Sequence, residues 1–392
     1  MKEVSFFINE DSNVSPILKH SALAPHFSDR SLHALVVEKG YVLVSKSWHG
    51  DRCDGGVVDA DLQYITSTGY FPYGGCGYDF DPESAASGNC CIFIGSFHPV
   101  YGHAITDDLR KLWFLNTEEG KRLIAEGYEV VYITTTDSKM PEWHLHILEL
   151  AGVDTSKLVH LHTTTKYEKI VVPDDSFSGE NGLLCYTEVF RSTVETIKAN
   201  VRQSDFYKQA PDNGSYYFTR VGCNDITREM GEPALEKVFR KHGYEIIEPE
   251  RLPFEQQVSL LMKCRRFAST EGSVSHASIF CNQDSEVVIL RKADYENKYS
   301  VMIADFVDNR TVFIDAHHSS KANPELPMLG PFYLCVTTYL KKYFNRNARG
   351  AFLALRPSYW LYLTSHNRIV NRFLRRYDED VRRGMGLRRL LG

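Results

Sequence analysis

Residues 244–270 read YEII, EPERLP, FEQQVSLLMKC, RR and FAST, and this stretch decides the fold. Tyr244–Ile247 has the composition of a short strand, as does Phe267–Thr270. Between them Phe254, Val258, Leu261 and Met262 fall at i, i+4, i+7 and i+8, one face of a helix over Phe254–Cys264. Strand, helix, strand is the unit that builds a parallel sheet. Working upstream, Tyr216–Thr219 reads as a strand. Pro233–His242 reads as a helix with Leu235, Val238 and Phe239 at i, i+3 and i+4, stopped by Gly243. Downstream come a helix near Ser273–Cys281 and a strand at Glu286–Leu290. The alternation predicts a doubly wound α/β domain.

The chain before this region shows the same texture in weaker form. Ser5–Ile8 opens it as a strand, and Leu35–Val37 with Tyr41–Ser45 reads as a hairpin around Glu38-Lys39-Gly40. Cys90–Gly95 is a buried-strand run, followed by a helix from about His103. A strand at Tyr128–Thr134, a helix around Glu142–Ala151, a strand ending near Val172 and a helix around Glu188–Val201 follow. Gln203–Gly214 is polar and carries a Pro-Asp-Asn-Gly turn, which makes it the linker. The boundaries are therefore 1–202, 203–322 and a C-terminal segment 323–392, with tail helices around Phe332–Phe344 and Tyr359–Tyr377.

A length of 392 residues favours two or three domains, and 43% hydrophobic with 24% charged residues is ordinary for a chain with a sizeable core. No repeat, low-complexity tract or 18-residue apolar window is present. The first ten residues lack the basic flank and long apolar run of a signal peptide. The nine cysteines are odd in number and scattered, as in a reducing cytoplasm, and Cys53 and Cys76 are too isolated for zinc spacing. Net charge is −5, but Tyr339–Gly392 holds 13 basic residues against three acids, so a +10 tail follows a −15 body. Arginines and aromatics over 356–392 suit either packing on that body or contact with an anionic membrane surface. The acidic body and the lack of a reader motif argue against nucleic acid.

Three sites carry chemistry. His103, Asp107 and Arg110 would share one face of a helix that follows a strand, where a carboxylate beside an imidazole can take a hydroxyl proton. The competing reading is a solvated polar face. Arg220, at the end of strand Tyr216–Thr219, and Arg228 beyond it can clamp phosphate, or can pair with Asp225, Glu229 and Glu232. Thr270-Glu271-Gly272-Ser273 leads from a strand into a helix, offering backbone N–H groups to an anion or simply an N-cap at Ser273. The Asp-x-Asp pairs at 59/61, 79/81 and 378/380 are expected by chance, and His144/His146 and His160/His162 read as ordinary histidines rather than metal ligands.

In combination these segments resemble the family 61 glycosyltransferases, among them bacterial capsular polysaccharide biosynthesis proteins. Gly102–Leu112 matches the N-terminal signature through His103, Asp107, Leu109, Lys111 and Leu112, with Ala104 for an aromatic and Arg110 for a proline. Tyr216–Leu290 matches through Thr219-Arg220, Arg228, Glu232, Gly243-Tyr244, Pro249-Glu250, Phe254, Gln257, Gly272-Ser273 and Phe280. It departs at Gly231 for Asn, Gln256 for Glu and Glu271 for His, with His276 on the next turn.

The resemblance implies a GT-B fold of two Rossmann-like domains facing a cleft, the C-terminal helices returning to the N-terminal domain. It implies a nucleotide-sugar donor on 203–322, a glycan or lipid-linked glycan acceptor on 1–202, and inversion at the anomeric carbon. Asp107 is then the general base, with His103 as its alternative or partner. The donor contacts are Arg220, Arg228, Gln257, Thr270, Glu271, Gly272, Ser273 and His276. No metal or other cofactor is required, since arginines and a helix start can carry the leaving-group charge. A sugar-nucleotide epimerase of similar build, and a non-catalytic carbohydrate-binding or assembly protein, are the alternative readings.

Overall fold

A computed structural model of the chain describes residues 3–49, 52–71, 74–135, 139–223, 229–318 and 332–345. They divide into two compact units, one formed by the first 26 residues together with those from 201 onward, the other by 27–200. Both are mixed α/β.

The unit from 201 onward is built on six parallel strands in the order Glu245–Ile247, Gly214–Phe218, Cys264–Thr270, Glu286–Arg291, Arg310–Asp315 and Glu3–Phe7. Numbered from Gly214 this is 2-1-3-4-5, a doubly wound order that reverses between Gly214–Phe218 and Cys264–Thr270. Its sixth strand is a departure from the sequence boundaries. Glu3–Phe7 pairs along Arg310–Asp315 with five consecutive partners, so the chain's first strand belongs here and not to the domain that follows it.

Side chains alternate across this sheet with period two. Tyr217, Ala268, Val288, Val312 and Ile314 face one side, where Leu235 and Phe239 of helix Glu232–Lys241 and Leu340 of helix Thr338–Tyr343 close a buried core. Phe218 and Phe267 meet edge-on at 5.2 Å on the other side. The expected single helix over Phe332–Phe344 is instead a two-residue strand, Phe332–Tyr333, and the short helix Thr338–Tyr343. That helix packs on Arg310–Asp315 and Glu3–Phe7, within its own unit. The basic tail 356–392 and its helix around Tyr359–Tyr377 lie outside the described residues.

The 27–200 unit has a parallel core in the order Leu158–His160, Glu129–Thr134, Ala86–Phe97, Thr165–Pro173. Numbered from Ala86 this is 3-2-1-4, the first part of the dinucleotide-fold order, reversing between Ala86–Phe97 and Thr165–Pro173. The expected hairpin at 35–45 does not form. Ala34–Glu38 and Tyr41–Leu43 both run antiparallel to Thr165–Pro173 in one continuous register, Glu38 facing Lys169 and Tyr41 facing Lys166. Lys39 takes a positive φ of 52° and the strand breaks there without turning back. Val42, Phe93, Val131, Ile133, Ile170 and Val172 fill its core. Among the described residues no helix is long and apolar enough to cross a membrane.

Gly231 explains one departure from the sequence pattern. It has φ 101°, and a Cβ there would run into the Leu334 carbonyl, whose neighbouring N–H bonds Met230 O at 2.7 Å. Gly231→Ala should therefore cost about 2 kcal/mol or more through backbone strain and overpacking. Urea unfolding measures it, and a loss near zero would show that the 229–231 and 332–334 segments do not pair this way.

Candidate active site

Strand Ala86–Phe97 delivers the chain to His98 at the reversal point of the 27–200 sheet. The expected helix from His103 is broken into one α-turn, Tyr101–Ala104, and two 3₁₀ turns, Asp107–Leu109 and Leu112–Asn116. Thr106 interrupts it at φ −130°, ψ −82°, its hydroxyl bonded back to Gly102 O at 2.7 Å. His103, Asp107 and Arg110 consequently do not form a stripe. Nor are they a solvated face. Leu109 and Leu112 are fully buried, and Asp107, Asp108, Arg110 and Lys111 are buried with them.

The break separates the three polar groups into two devices. His103 Nδ1 hydrogen-bonds Asp107 Oδ2. The Asp107 side chain is 0% exposed and that of His103 is 17% exposed. The imidazole, not the carboxylate, is therefore the member of the pair that reaches solvent. Burial works against a charged His103, but Asp107 outweighs it and raises the pKa above 6.5. His98, whose ring lies 5.4 Å from that of His103, is pushed the other way, down to about 4, by burial and by His103 itself. Its Nδ1 shares a hydrogen with Thr135 Oγ1. Tyr70 packs on both rings. Two adjacent imidazoles with pKa values driven apart can divide proton-holding and hydrogen-bonding roles.

Arg110 and Lys111 form the second device. Both reach Asp175 Oδ1, at 2.8 and 2.7 Å, just past the end of Thr165–Pro173. Arg110 also donates to Gly69 O at 2.9 Å and Lys111 to Pro173 O at 2.5 Å. Ser176 returns two hydrogen bonds to Arg110 O. These contacts clamp the 101–116 segment to the neighbouring strand end. Burial raises the Asp175 pKa, but Arg110 and Lys111 dominate and hold it below 3.8.

In the other unit, Thr219-Arg220 and Thr270-Glu271-Gly272 sit at the carboxyl ends of the two strands flanking the reversal, where open α/β sheets bind ligands. Arg220 Nη1 bonds Glu229 Oε1 at 2.7 Å, and its backbone N–H points to the Glu232 carboxylate. Burial, then Glu229, pushes Glu232 up to about 7. Glu271 is fully buried, and neither carboxylate oxygen makes a full hydrogen bond among the described residues. Burial lifts it to about 7 against the pull of Arg291 and Lys292. Thr270 Oγ1 is likewise buried and has no hydrogen-bond partner among the described residues.

Gly272 has φ 122°, and a Cβ there would crowd Lys292 Nζ at 3.3 Å. The expected helix over Ser273–Cys281 is only Ser273–His276 followed by a 3₁₀ turn, Ala277–Phe280, too short for a helix dipole. The loop's offer to an anion is reduced to individual N–H groups. Gln257 gives both amide hydrogens to the carbonyls of Pro249 and Leu252, at 2.9 and 3.0 Å, and so shapes the preceding turn. His276 is buried with its ring stacked on Tyr299 at 4.8 Å.

Residues 101–288 match the family profile Glycosyltransferase 61. The match covers just under half of the chain and supports a family 61 glycosyltransferase. No curated protein matches the chain. The matched region runs from the His103 turn into strand Glu286–Arg291 and takes in residues of both clusters. Arg228 lies outside the described residues. Among those described, no group of three or more histidine, cysteine or acidic side chains could hold a metal.

Sequence reasoning passed over His98, Asp175 and the Arg291-Lys292 pair, whereas the Arg220–Glu229 ion pair is the competing reading it had offered for Arg220. The signal for Arg291-Lys292 was present, since two basic residues directly follow the predicted strand Glu286–Leu290, the same pattern that singled out Arg220.

Asp175→Asn should destabilise the 27–200 unit by about 3–5 kcal/mol at neutral pH, because it leaves Arg110 and Lys111 buried without their counter-ion. The folded pKa of Asp175 is depressed, so its contribution is complete above the usual 3.8 and fades as pH falls through the lower folded value. Urea unfolding from pH 7 to pH 3 should show the gap between variant and parent narrowing only below about pH 4. A gap that is small at pH 7 would refute the clamp.

Proposed function

We propose that the chain is an inverting glycosyltransferase that takes a sugar from a nucleotide-sugar donor and attaches it to a glycan or lipid-linked glycan acceptor, with His103 as the general base. The observation that carries the assignment is the His103–Asp107 dyad, a partly exposed imidazole backed by a fully buried carboxylate. In a single displacement the acceptor O–H gives its proton to the imidazole as its oxygen bonds to the anomeric carbon. The bond from that carbon to the diphosphate breaks, and the electron pair leaves on the diphosphate oxygen. Asp107 orients the ring and stabilises the imidazolium that forms.

Arg220 and the Thr270–Gly272 loop stand at the reversal of the second sheet, which supports a donor site there. GT-B is the arrangement this reading implies. The resemblance to capsule-synthesis proteins supports a role in surface polysaccharide. Buried thiols at Cys53, Cys91, Cys264 and Cys335 fit a cytoplasmic setting.

Rate profiles against pH test the base. A panel of nucleotide sugars is first screened by thermal stabilisation, and the stabilising donor is then used for turnover. The rate should rise with pH through the raised His103 pKa. His103→Gln should lower kcat by about 10²–10⁴-fold with donor affinity kept. Asp107→Asn should lower kcat and move the inflection to lower pH, because the group that raises the imidazole pKa is gone. An inflection and kcat both unchanged in Asp107→Asn would place the base elsewhere.

A further inference from the structure

Three charged side chains from three separate segments meet at the reversal point of the sheet in the unit from 201 onward. Glu229 Oε1 accepts from Arg220 Nη1 at 2.7 Å and from Lys292 Nζ at 2.6 Å. Its other oxygen, Oε2, is buried and makes no hydrogen bond among the described residues. One carboxylate oxygen thus collects two cations while its twin stays unsatisfied, a poor match for a carboxylate, whose two oxygens normally share their donors. The Lys292 side chain is 5% exposed and that of Glu229 11%. Lys292 Nζ also lies 4.4 Å from the centre of the Phe332 ring, on the strand that pairs residue for residue with Glu229–Met230.

A cavity of about 220 Å³ opens beside the pair, lined by Arg220, Cys223, Glu229, Gly231 and Glu232. It is smaller than the roughly 300 Å³ at which pockets begin to hold drug-sized ligands, and it suits a phosphate-sized group. Drawing Lys292 and Glu229 almost fully out of water, beside an Arg220 side chain that is 22% exposed, is not explained by stability, since a buried ion pair gains little over apolar packing.

We propose that Glu229 is an exchangeable counter-ion that occupies the anion position of this unit, and that a diphosphate displaces it to take Arg220 and Lys292 as its ligands. A diphosphate supplies several oxygens and two ionised phosphates, so it satisfies both cations where Glu229 Oε1 serves both alone. A single carboxylate or a neutral sugar would not outcompete the built-in partner. Lys292 lies four residues beyond the end of the family match, and Gly272, which leaves room for its ammonium group, links it to the Thr270–Gly272 loop. The identity of the anion rests on the donor reading above; the exchange itself does not.

Calorimetry on the full chain with inorganic pyrophosphate, and with UDP, GDP, ADP and CDP, tests both. Glu229→Gln frees the cations without changing side-chain size and should tighten pyrophosphate binding about 10-fold. Lys292→Met should weaken it by a similar factor. Glu229→Asp withdraws the carboxylate by one methylene and should tighten binding to a smaller degree, which keeps the test available if the Gln variant does not fold. Nucleoside diphosphates should follow the same order. Pyrophosphate responding while no nucleoside diphosphate binds would uphold the exchange and defeat the donor reading. Equal or weaker pyrophosphate binding in folded Glu229→Gln or Glu229→Asp would overturn the exchange.

Discussion

A carboxylate placed just beyond the ends of parallel strands, gathering two cations, is the constraint on which both units depend. In the 27–200 unit it is Asp175, and everything chemical in the segment after Ala86–Phe97 hangs from it. Arg110 and Lys111 are drawn out of what would have been a helix, the backbone breaks at Thr106, and the break sets His103 against Asp107. In the unit from 201 onward it is Glu229. The two differ in how fully they are satisfied. Arg110 and Lys111 make further bonds to Gly69 and Pro173 carbonyls, and that cluster is closed. Glu229 keeps one oxygen without a hydrogen bond among the described residues, beside a cavity, and that cluster is the one proposed to exchange.

The sheet orders turn these local facts into sites. A doubly wound sheet leaves a crevice where successive crossovers depart in opposite directions, and nothing in the scaffold fills it. In one sheet that point brings together the loops after Phe218 and Thr270. In the other it brings together His98 and Asp175. At the crevice of the unit from 201 onward the buried carboxyl of Glu271 is a cost that the surrounding core has to offset, while the positive φ at 231 and 272 is met by glycine without strain.

The sequence made the periodic elements of the second unit legible because apolar spacing and strand length agree there. Phe254, Val258 and Leu261 are buried as their spacing requires. It failed where long-range pairing decides. Nothing local to Glu3–Phe7 says that it will lie beside Arg310–Asp315, and nothing in Leu35–Ser45 says that the two strands on either side of Lys39 will keep one register on Thr165–Pro173. The His103 helix failed for a different reason. Its spacing is helical, but ion pairing of Arg110 and Lys111 with a carboxylate 65 and 64 residues away overrides it. The identities of His103 and Asp107 were readable from the family signature, whereas which of them reaches solvent depends on burial, which the one-dimensional pattern does not contain.

Anomeric configuration tests the account most directly. With a stabilising nucleotide sugar and an oligosaccharide acceptor, proton NMR of the product should show a glycosidic bond of configuration opposite to the donor's, formed in step with nucleoside diphosphate release and only when acceptor is present. A product of retained configuration would contradict single displacement at His103. An epimerised donor formed without acceptor would contradict sugar transfer itself.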